Sequence, residues 1–166
     1  MHVRHQWRWS FMHNGQVGGY DRLRRRIDMM IPDALYDSRK GATDSEALFL
    51  MALAEGLEDD PQRALERAVG RLETLSRTHG TTPHMRPTAA LSDGERLFAI
   101  RYSSDAEVPT LYHCLACNRG GRAVASKPLE VETQGWEAIP PGSWSEIRAD
   151  GVAISPFRPV AEARAA

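Results

Sequence analysis

The first part of the chain alternates between apolar and polar positions. Aromatic residues stand at every second position, at Trp7, Trp9 and Phe11, and a period of two is typical of a β-strand. Asn14-Gly15, a dipeptide common in tight turns, follows directly. The pattern therefore predicts a short strand that ends at this turn.

The next stretch carries the spacing of helices. The first predicted helix starts at Tyr20, has apolar residues three and four positions apart, and stops at Pro32. A second contains the run Ala47–Ala54, which is apolar all round and therefore has to be buried on most sides. A third is predicted to begin after Asp59 or Asp60, where a proline occupies the first helical position.

Short strand-like runs replace the helical spacing after residue 81. Pro83 and Pro87 are predicted to enclose a loop, and Ser92–Glu95 is predicted to be a hairpin turn. The predicted strands are Thr88–Leu91, Leu97–Tyr102, Thr110–Leu115, Ala123–Ser126, Trp144–Ile147 and Val152–Ile154. This order indicates an α+β fold in which helices cover a mostly antiparallel sheet. Residues 157–166 are predicted to be a frayed tail.

Composition narrows the function classes. The 166 residues carry 21 Lys and Arg against 22 Asp and Glu, a net charge of -1, which disfavours nonspecific nucleic-acid binding. The longest apolar run, Ala47–Ala54, is far too short to span a bilayer, and the first twenty residues do not have the pattern of a signal peptide. Two cysteines cannot form a disulfide framework. These features predict a cytoplasmic protein that neither crosses a membrane nor binds nucleic acid.

Thr43-Asp44-Ser45-Glu46 has the pattern of a helix capping box. The Thr43 hydroxyl is expected to accept from the Glu46 N–H, and the Glu46 side chain to reach back. Such a cap needs no ligand. An acidic side chain in the first turn of a helix is also well placed to bind an ammonium group, because the helix dipole favours negative charge there. Both interpretations of Asp44 stay open at this point.

Several short motifs occur in an order that resembles one enzyme family. They are Trp9-Ser10-Phe11-Met12-His13-Asn14-Gly15-Gln16, Thr43-Asp44-Ser45-Glu46, Leu91-Ser92-Asp93-Gly94, Ala125-Ser126-Lys127-Pro128-Leu129, and Trp136 with Ile139-Pro140-Pro141-Gly142. Together they resemble the class II glutamine amidotransferases, N-terminal-nucleophile enzymes that hydrolyse the side-chain amide of glutamine. The resemblance spans about Arg4 to Ile147, and it is strongest to stand-alone amidotransferase-like proteins, including those of the ergothioneine-biosynthesis type.

The resemblance implies an αββα sandwich of the Ntn-hydrolase type, with residues 1–156 forming part of that domain and with no cofactor or metal. It implies glutamine or a γ-glutamyl small molecule as the substrate, with Asp44 on the α-ammonium group and His13 as a further substrate-binding residue. Asn14 and Gly15 would form the oxyanion hole, because amide hydrolysis needs fixed donors at the developing oxyanion and glycine lets the backbone come close. Taken alone, Asn-Gly favours a turn, for which it is a routine signal.

The family's nucleophile has no counterpart in the sequence. It is a cysteine at the mature N-terminus whose own α-amine acts as the base, whereas residue 2 is His2 and the first cysteine is Cys114. The arginine that holds the substrate carboxylate in the family is missing as well. We therefore expect an N-terminally truncated domain that lacks its N-terminal strands, is inactive alone, and forms a homodimer or takes up a complementing N-terminal part. The alternatives are a degenerate, non-catalytic binding module of the same fold and an unrelated α+β domain.

Cys114 and Cys117 are the remaining chemical candidates. Neither has a free α-amine, so neither can be activated as the family's nucleophile is. Their spacing of three, in or just after a predicted strand, places them on opposite faces. A zinc ion would need ligands such as His79 or His84 from a distant loop. We expect structural cysteines and no metal site.

Overall fold

The computed structural model describes residues 9–117, 121–128 and 135–160. His2, Arg4, Trp7 and Leu129, named above, lie outside them. Within them lie the helices α1 (Tyr20–Asp28), α2 (Asp33–Tyr36), α3 (Asp44–Ala54) and α4 (Pro61–Thr78). The strands are β1 (Ser10–Val17), β2 (Met85–Ser92), β3 (Leu97–Arg101), β4 (Tyr112–Cys114), β5 (Ala123–Ala125), β6 (Trp136–Ala138), β7 (Ser143–Arg148) and β8 (Gly151–Pro156). A strand, then helices, then strands is the order that the sequence predicts.

The strands form two antiparallel sheets. The larger sheet has the order β1-β2-β3-β7-β8, and the smaller has the order β5-β4-β6. β1 and β2 pair over their whole length, from Ser10 opposite Ser92 to Val17 opposite Met85. Among the described residues β1 has no strand on its other side, so it forms an open edge of the larger sheet.

The larger sheet separates two apolar cores. One face packs against the helices through Leu91, Phe98 and Trp144, in the main core. On the opposite face, Ala99 and Ile147 pack against apolar side chains from the segments of the smaller sheet. The described layers therefore run helices, sheet, sheet. They confirm an α+β fold in which helices cover an antiparallel sheet.

Two local predictions at the start of the larger sheet are wrong. β1 continues through Asn14 and Gly15 to Val17, because each of its residues has a partner on β2. Pro87 lies inside β2 rather than in a loop. Its missing N–H does not interrupt the pairing with β1, because the polar backbone groups of Pro87 point the other way, where its carbonyl accepts from the Tyr102 N–H at 3.0 Å.

The longer helices agree with the predictions. α3 begins at the predicted cap, and its Leu48 and Met51 are fully buried. α4 begins at the predicted proline, and the cap is Asp60, whose carboxylate accepts from the Arg63 N–H at 3.1 Å. The short strand β6 was not predicted, since three residues are too few for an alternating pattern to show.

Residues 157–160 return to α4. Phe157 is buried in the main core, and the Val160 N–H donates to the Glu66 carbonyl at 3.0 Å. Gly70 permits this contact, because a Cβ at that position would lie 2.1 Å from the carbonyl oxygen of Val160. The prediction of a frayed tail therefore does not hold for residues 157–160. Residues 161–166 lie outside the described part of the chain.

Candidate active site

The open edge of β1 carries the two residues that the resemblance assigns to an oxyanion hole. Asn14 lies opposite Thr88, and Gly15 lies opposite Pro87. Pro87 directs its carbonyl toward Tyr102, away from β1, so Gly15 and Pro87 form a non-hydrogen-bonded pair. The N–H of Gly15 therefore points away from β2, toward the open edge, where the ladder does not use it.

Asn14 lies on the face of the larger sheet that looks toward the smaller sheet, because side chains alternate along β1. The Thr88 hydroxyl donates to the Asn14 carbonyl and holds the backbone at this point. A cleft of about 300 Å³ opens on the same face, with Met12, Leu111 and Val124 among its mostly apolar lining. Asn14 is thus an exposed polar group at the rim of an apolar cleft between the sheets.

Gly15 occupies a position that a larger residue cannot take. A Cβ there would lie 1.8 Å from the carbonyl oxygen of Arg86 and 2.9 Å from Nε2 of His13. The first of these contacts is with backbone, which cannot move aside without disturbing the pairing of β1 with β2. Close approach of two backbones therefore requires glycine at this position.

Asp44 reaches the same edge from the first turn of α3. One carboxylate oxygen accepts from the Val17 N–H at 3.0 Å, and the other accepts from the Ser45 N–H at 2.8 Å. The N–H of Val17 leaves the strand on the same side as that of Gly15, two residues further along. The contact point of Asp44 and the N–H of Gly15 are therefore separated by about 7 Å of strand.

Thr43 and Glu46 hold the start of α3, to which Asp44 adds only the bond from the Ser45 N–H to one of its oxygens. The Thr43 hydroxyl accepts from the Glu46 N–H at 3.3 Å, as the capping pattern predicts. The carboxylate of Glu46 accepts from the N–H groups of Lys40 and Gly41, at 2.7 and 2.8 Å, instead of returning to Thr43. The side chain of Asp44 is consequently available for a contact outside its own helix.

Arg39 anchors this turn, although the sequence did not single it out. Its side chain is only 4% exposed, and its Nε lies 2.8 Å from the carboxylate of Asp28 on α1. Nη1 lies 3.3 Å from the carboxylate of Glu46, and the guanidinium also donates to the Tyr20 hydroxyl. A single arginine in an irregular segment gives no periodic signal, so its role becomes visible only in the fold.

His13 lies on the opposite side of β1 from Asn14, facing the helices. Its Nδ1 lies 2.9 Å from Oγ of Ser45, and its ring stacks on Phe11 with the centroids 6.2 Å apart. Burial lowers the pKa of His13, and the negative charge of Asp44 opposes this shift only in part. Burial therefore favours the neutral imidazole over its charged form. Its substrate contact stays a prediction.

A solved structure of a glutamine aminotransferase class-II domain protein from Silicibacter pomeroyi matches this arrangement of elements with a TM-score of 0.87 and 55% sequence identity. The match covers 93% of this chain and 69% of that one. The chain belongs to the class II glutamine amidotransferases. The Ntn-type fold of the chain therefore agrees with the fold that its motifs implied.

Two more distant solved structures share the fold of the chain. Glutamine phosphoribosylpyrophosphate amidotransferase from B. subtilis matches with a TM-score of 0.59 at 13% identity, over 90% of this chain and 29% of that one. A predicted glutamine amidotransferase from Pseudomonas aeruginosa matches with a TM-score of 0.52 at 19% identity, over 87% of this chain and 59% of that one. At such identities the likeness concerns the fold alone.

A curated relative, a probable glutamine amidotransferase of Saccharomyces cerevisiae, is 25% identical to the chain over an alignment of 184 positions, which covers 89% of the chain. The chain spans about half of that relative, 52% of its length. No family model matches the chain. No helix within the described ranges is long and apolar enough to cross a membrane.

The two cysteines of the chain lie in the segment of β4, in the smaller sheet. Cys114 is buried at the end of β4, and Cys117 lies beyond the strand. The prediction that they occupy opposite faces of one strand therefore does not apply. In the described part of the chain, no group of three or more His, Cys, Asp or Glu side chains could hold a metal ion.

Proposed function

We propose that this amidotransferase binds glutamine, or a γ-glutamyl amide, along the open edge of β1, as part of a site that hydrolyses the side-chain amide to glutamate and ammonia. The observation that supports the proposal is that Gly15 and Asp44 meet the same edge of β1. The N–H of Gly15 and the carboxylate of Asp44 meet it at points about 7 Å apart along the strand. Extended glutamine has its amide carbonyl at one end and its ammonium group at the other, so it suits this spacing.

Asn14 and Gly15 are the proposed oxyanion donors. Attack on the amide carbon moves negative charge onto the carbonyl oxygen, and donors fixed in advance stabilise that charge. The side-chain NH₂ of Asn14 and the N–H of Gly15 lie on consecutive residues of a strand that is paired along its whole length. One such donor contributes about 3 kcal/mol to stabilisation of the transition state.

Asp44 is the proposed partner of the α-ammonium group. Its oxygens accept from Val17 and Ser45, whereas an ionised carboxylate has about four acceptor sites. Room for a cation therefore remains. A hydrogen bond between charged groups contributes about 2 kcal/mol, which corresponds to more than a tenfold change in affinity.

The proposed reaction also needs a nucleophile, and the described residues place none at this edge. Cys114 and Cys117 lie in the segment of β4 and have no free α-amine. We infer that this chain by itself binds the substrate without hydrolysing it, and that a cysteine-bearing segment from outside residues 9–160 completes the site. The earlier expectations of truncation, cytoplasmic location and homodimerisation stay predictions.

A non-catalytic binding module of the same fold is the second candidate. The same lack of a suitable cysteine among the described residues supports it. Both candidates predict ligand binding at β1. They differ in that a binding module yields no ammonia even when a cysteine-bearing segment from a relative is supplied.

Binding and ammonia release test the two halves of the proposal separately. We expect Asp44→Asn to weaken binding of L-glutamine, followed by NMR titration, at least about tenfold. Asp60→Asn is the matched control, since asparagine caps a helix as well as aspartate does. Equal affinities in the two variants would place the ligand elsewhere. Ammonia release by the unchanged chain, blocked by a glutamine-analogue alkylator, would contradict the inferred lack of a nucleophile.

A further inference from the structure

Strand β1 contacts the first turn of α3 at two points. The N–H of Val17 donates to the Asp44 carboxylate at 3.0 Å, and Nδ1 of His13 lies 2.9 Å from Oγ of Ser45. Ser45 in turn donates its N–H to the other oxygen of Asp44. Both contacts therefore end on this carboxylate or on the residue bonded to it, and together they fix the start of α3 against the strand.

The imidazole of His13 stacks on one aromatic ring and directs its Nε2 edge toward Gly15. Its ring stacks on Phe11, which stacks on Phe49 of α3 with the centroids 5.3 Å apart. Its Nε2 faces the backbone of Gly15, where a Cβ would lie 2.9 Å away. One edge of the ring thus faces Gly15, and the other edge contacts Ser45 on the helix that carries Asp44.

We propose that His13 is a positioning residue that sets Asp44 relative to the N–H of Gly15 through its Nδ1–Ser45 hydrogen bond, without touching the substrate. The proposal rests on the proposed function of the β1 edge. Nε2 is buried beneath the strand and lies on the helix side, opposite to Asn14. The ring nitrogen with a partner is therefore the one that holds the helix.

Replacement of His13 by asparagine or by glutamine tests the roles of its two ring nitrogens separately. In place of His13, asparagine brings an amide group near the position of Nδ1, and glutamine brings one near Nε2. The proposal predicts that His13→Asn keeps the bond to Ser45 and that His13→Gln loses it. Ser45→Ala removes the same bond from the helix side, and it serves as the second variant if a His13 variant fails to fold.

Hydrogen exchange of the Val17 amide reports the position of Asp44 without a ligand. Loss of one hydrogen bond in the first turn of α3 should speed this exchange about tenfold in His13→Gln and Ser45→Ala, relative to the other amides of β1. In His13→Asn we expect a change of less than about twofold. The affinity for L-glutamine, measured by NMR titration, should fall in the same two variants and be retained in His13→Asn.

The outcomes separate this proposal from the proposed function. Faster Val17 exchange in His13→Gln and Ser45→Ala, with His13→Asn unchanged, supports the positioning role. The same exchange pattern without any L-glutamine binding by the unchanged chain removes the proposed function and leaves the coupling between His13 and Asp44. Equal Val17 exchange in all three variants overturns the positioning role. Affinity kept by His13→Gln and lost by His13→Asn also overturns it, because Nε2 would then be the working atom.

Discussion

An acidic residue lies at the start of α3 and another at the start of α4, and the two carboxylates have different partners. Asp60 precedes α4 as its cap and accepts from the Arg63 N–H at 3.1 Å. Asp44 is the first residue of α3, which is capped by Thr43 instead. One oxygen of Asp44 accepts from Val17 on β1, at 3.0 Å. One carboxylate therefore completes its own helix, and the other reaches the edge of a sheet.

The difference shows how an acidic residue becomes available for binding. When a neighbouring hydroxyl takes the cap position, a carboxylate in the first turn can use one of its oxygens for a contact outside the helix while the helix dipole still favours its charge. Asp44 is in this situation, because Thr43 and Glu46 hold the start of α3. The comparison of Asp44 with Asp60 therefore separates the proposed binding carboxylate from a structural one.

The largest expected effect comes from a substitution at Gly15, on the strand edge that Asp44 reaches. Gly15→Ala places a Cβ 1.8 Å from the Arg86 carbonyl oxygen, and forced overpacking of this kind lowers the free energy of unfolding by about 3 kcal/mol. Gly94→Ala is the control, since Gly94 has a φ of 96° with nothing within 4 Å of its Cβ, and we expect about 1 kcal/mol there. Denaturant unfolding measures both, and equal losses would show that β1 tolerates a side chain at Gly15.

Replacement of Asp44 or Asp60 by alanine tests directly whether the two carboxylates have different roles. Asp60→Ala should lower the free energy of unfolding by about 1 kcal/mol through loss of its cap, and it should leave the affinity for L-glutamine unchanged. Asp44→Ala should weaken that affinity at least about tenfold. Thermal unfolding and NMR titration measure the two effects. Loss of affinity in Asp60→Ala as large as in Asp44→Ala would remove the distinction between the two helix starts.

Removal of the α3 cap residue tests whether Thr43 contributes to stability while the proposed role of Asp44 in binding is retained. Thr43→Ala removes the acceptor of the Glu46 N–H and should lower the free energy of unfolding by about 1 kcal/mol. Since Glu46 still holds Lys40 and Gly41, we expect the affinity for L-glutamine to fall less than about threefold. A stability in Thr43→Ala equal to that of the unchanged chain would show that Thr43 is not the cap.

The smallest expected effect is a pH dependence that follows His13. Burial lowers the pKa of His13 in the folded chain. As the pH falls below about 6.5, the unfolded chain therefore binds more protons than the folded chain. Stability should therefore decrease on acidification through that range. Asp44 is the charged group that faces the ring from α3, whereas β1 and β2 present Phe11 and Ala89. His13→Asn should show a shallower slope of unfolding free energy against pH, and an unchanged slope would mean that the ring does not titrate as a buried group.

Signals within a few residues predicted the helix starts. The features that the sequence did not predict depend on contacts between distant segments. Thr43, Asp60 and the apolar run of α3 each carry their signal within a few residues. The Asn14-Gly15 turn was wrong, because the preference of two residues was overridden by eight paired positions on β2. Arg39 could not be found, since its partners come from α1 and α3 and become neighbours only after folding.

The residues of the candidate site were predicted from the sequence, whereas their arrangement was not. Its residues Asn14, Gly15 and Asp44 were named from the order of motifs in the sequence. Their common edge was not predictable, because it depends on the register that turns the N–H groups of Gly15 and Val17 to the same side of β1. The side of the strand on which His13 lies also follows from that register.

The central claim is that the substrate lies along the open edge of β1 between Gly15 and Asp44. A ¹H–¹⁵N NMR titration of the unchanged chain with L-glutamine tests it most directly. We predict that the amide resonances of Gly15 and Val17 move most, because the first N–H donates to the substrate carbonyl and the second shares the carboxylate of Asp44 with the substrate ammonium. A titration that saturates elsewhere, for example at the amides of α1 and α2, while Gly15 and Val17 stay fixed, would contradict the claim.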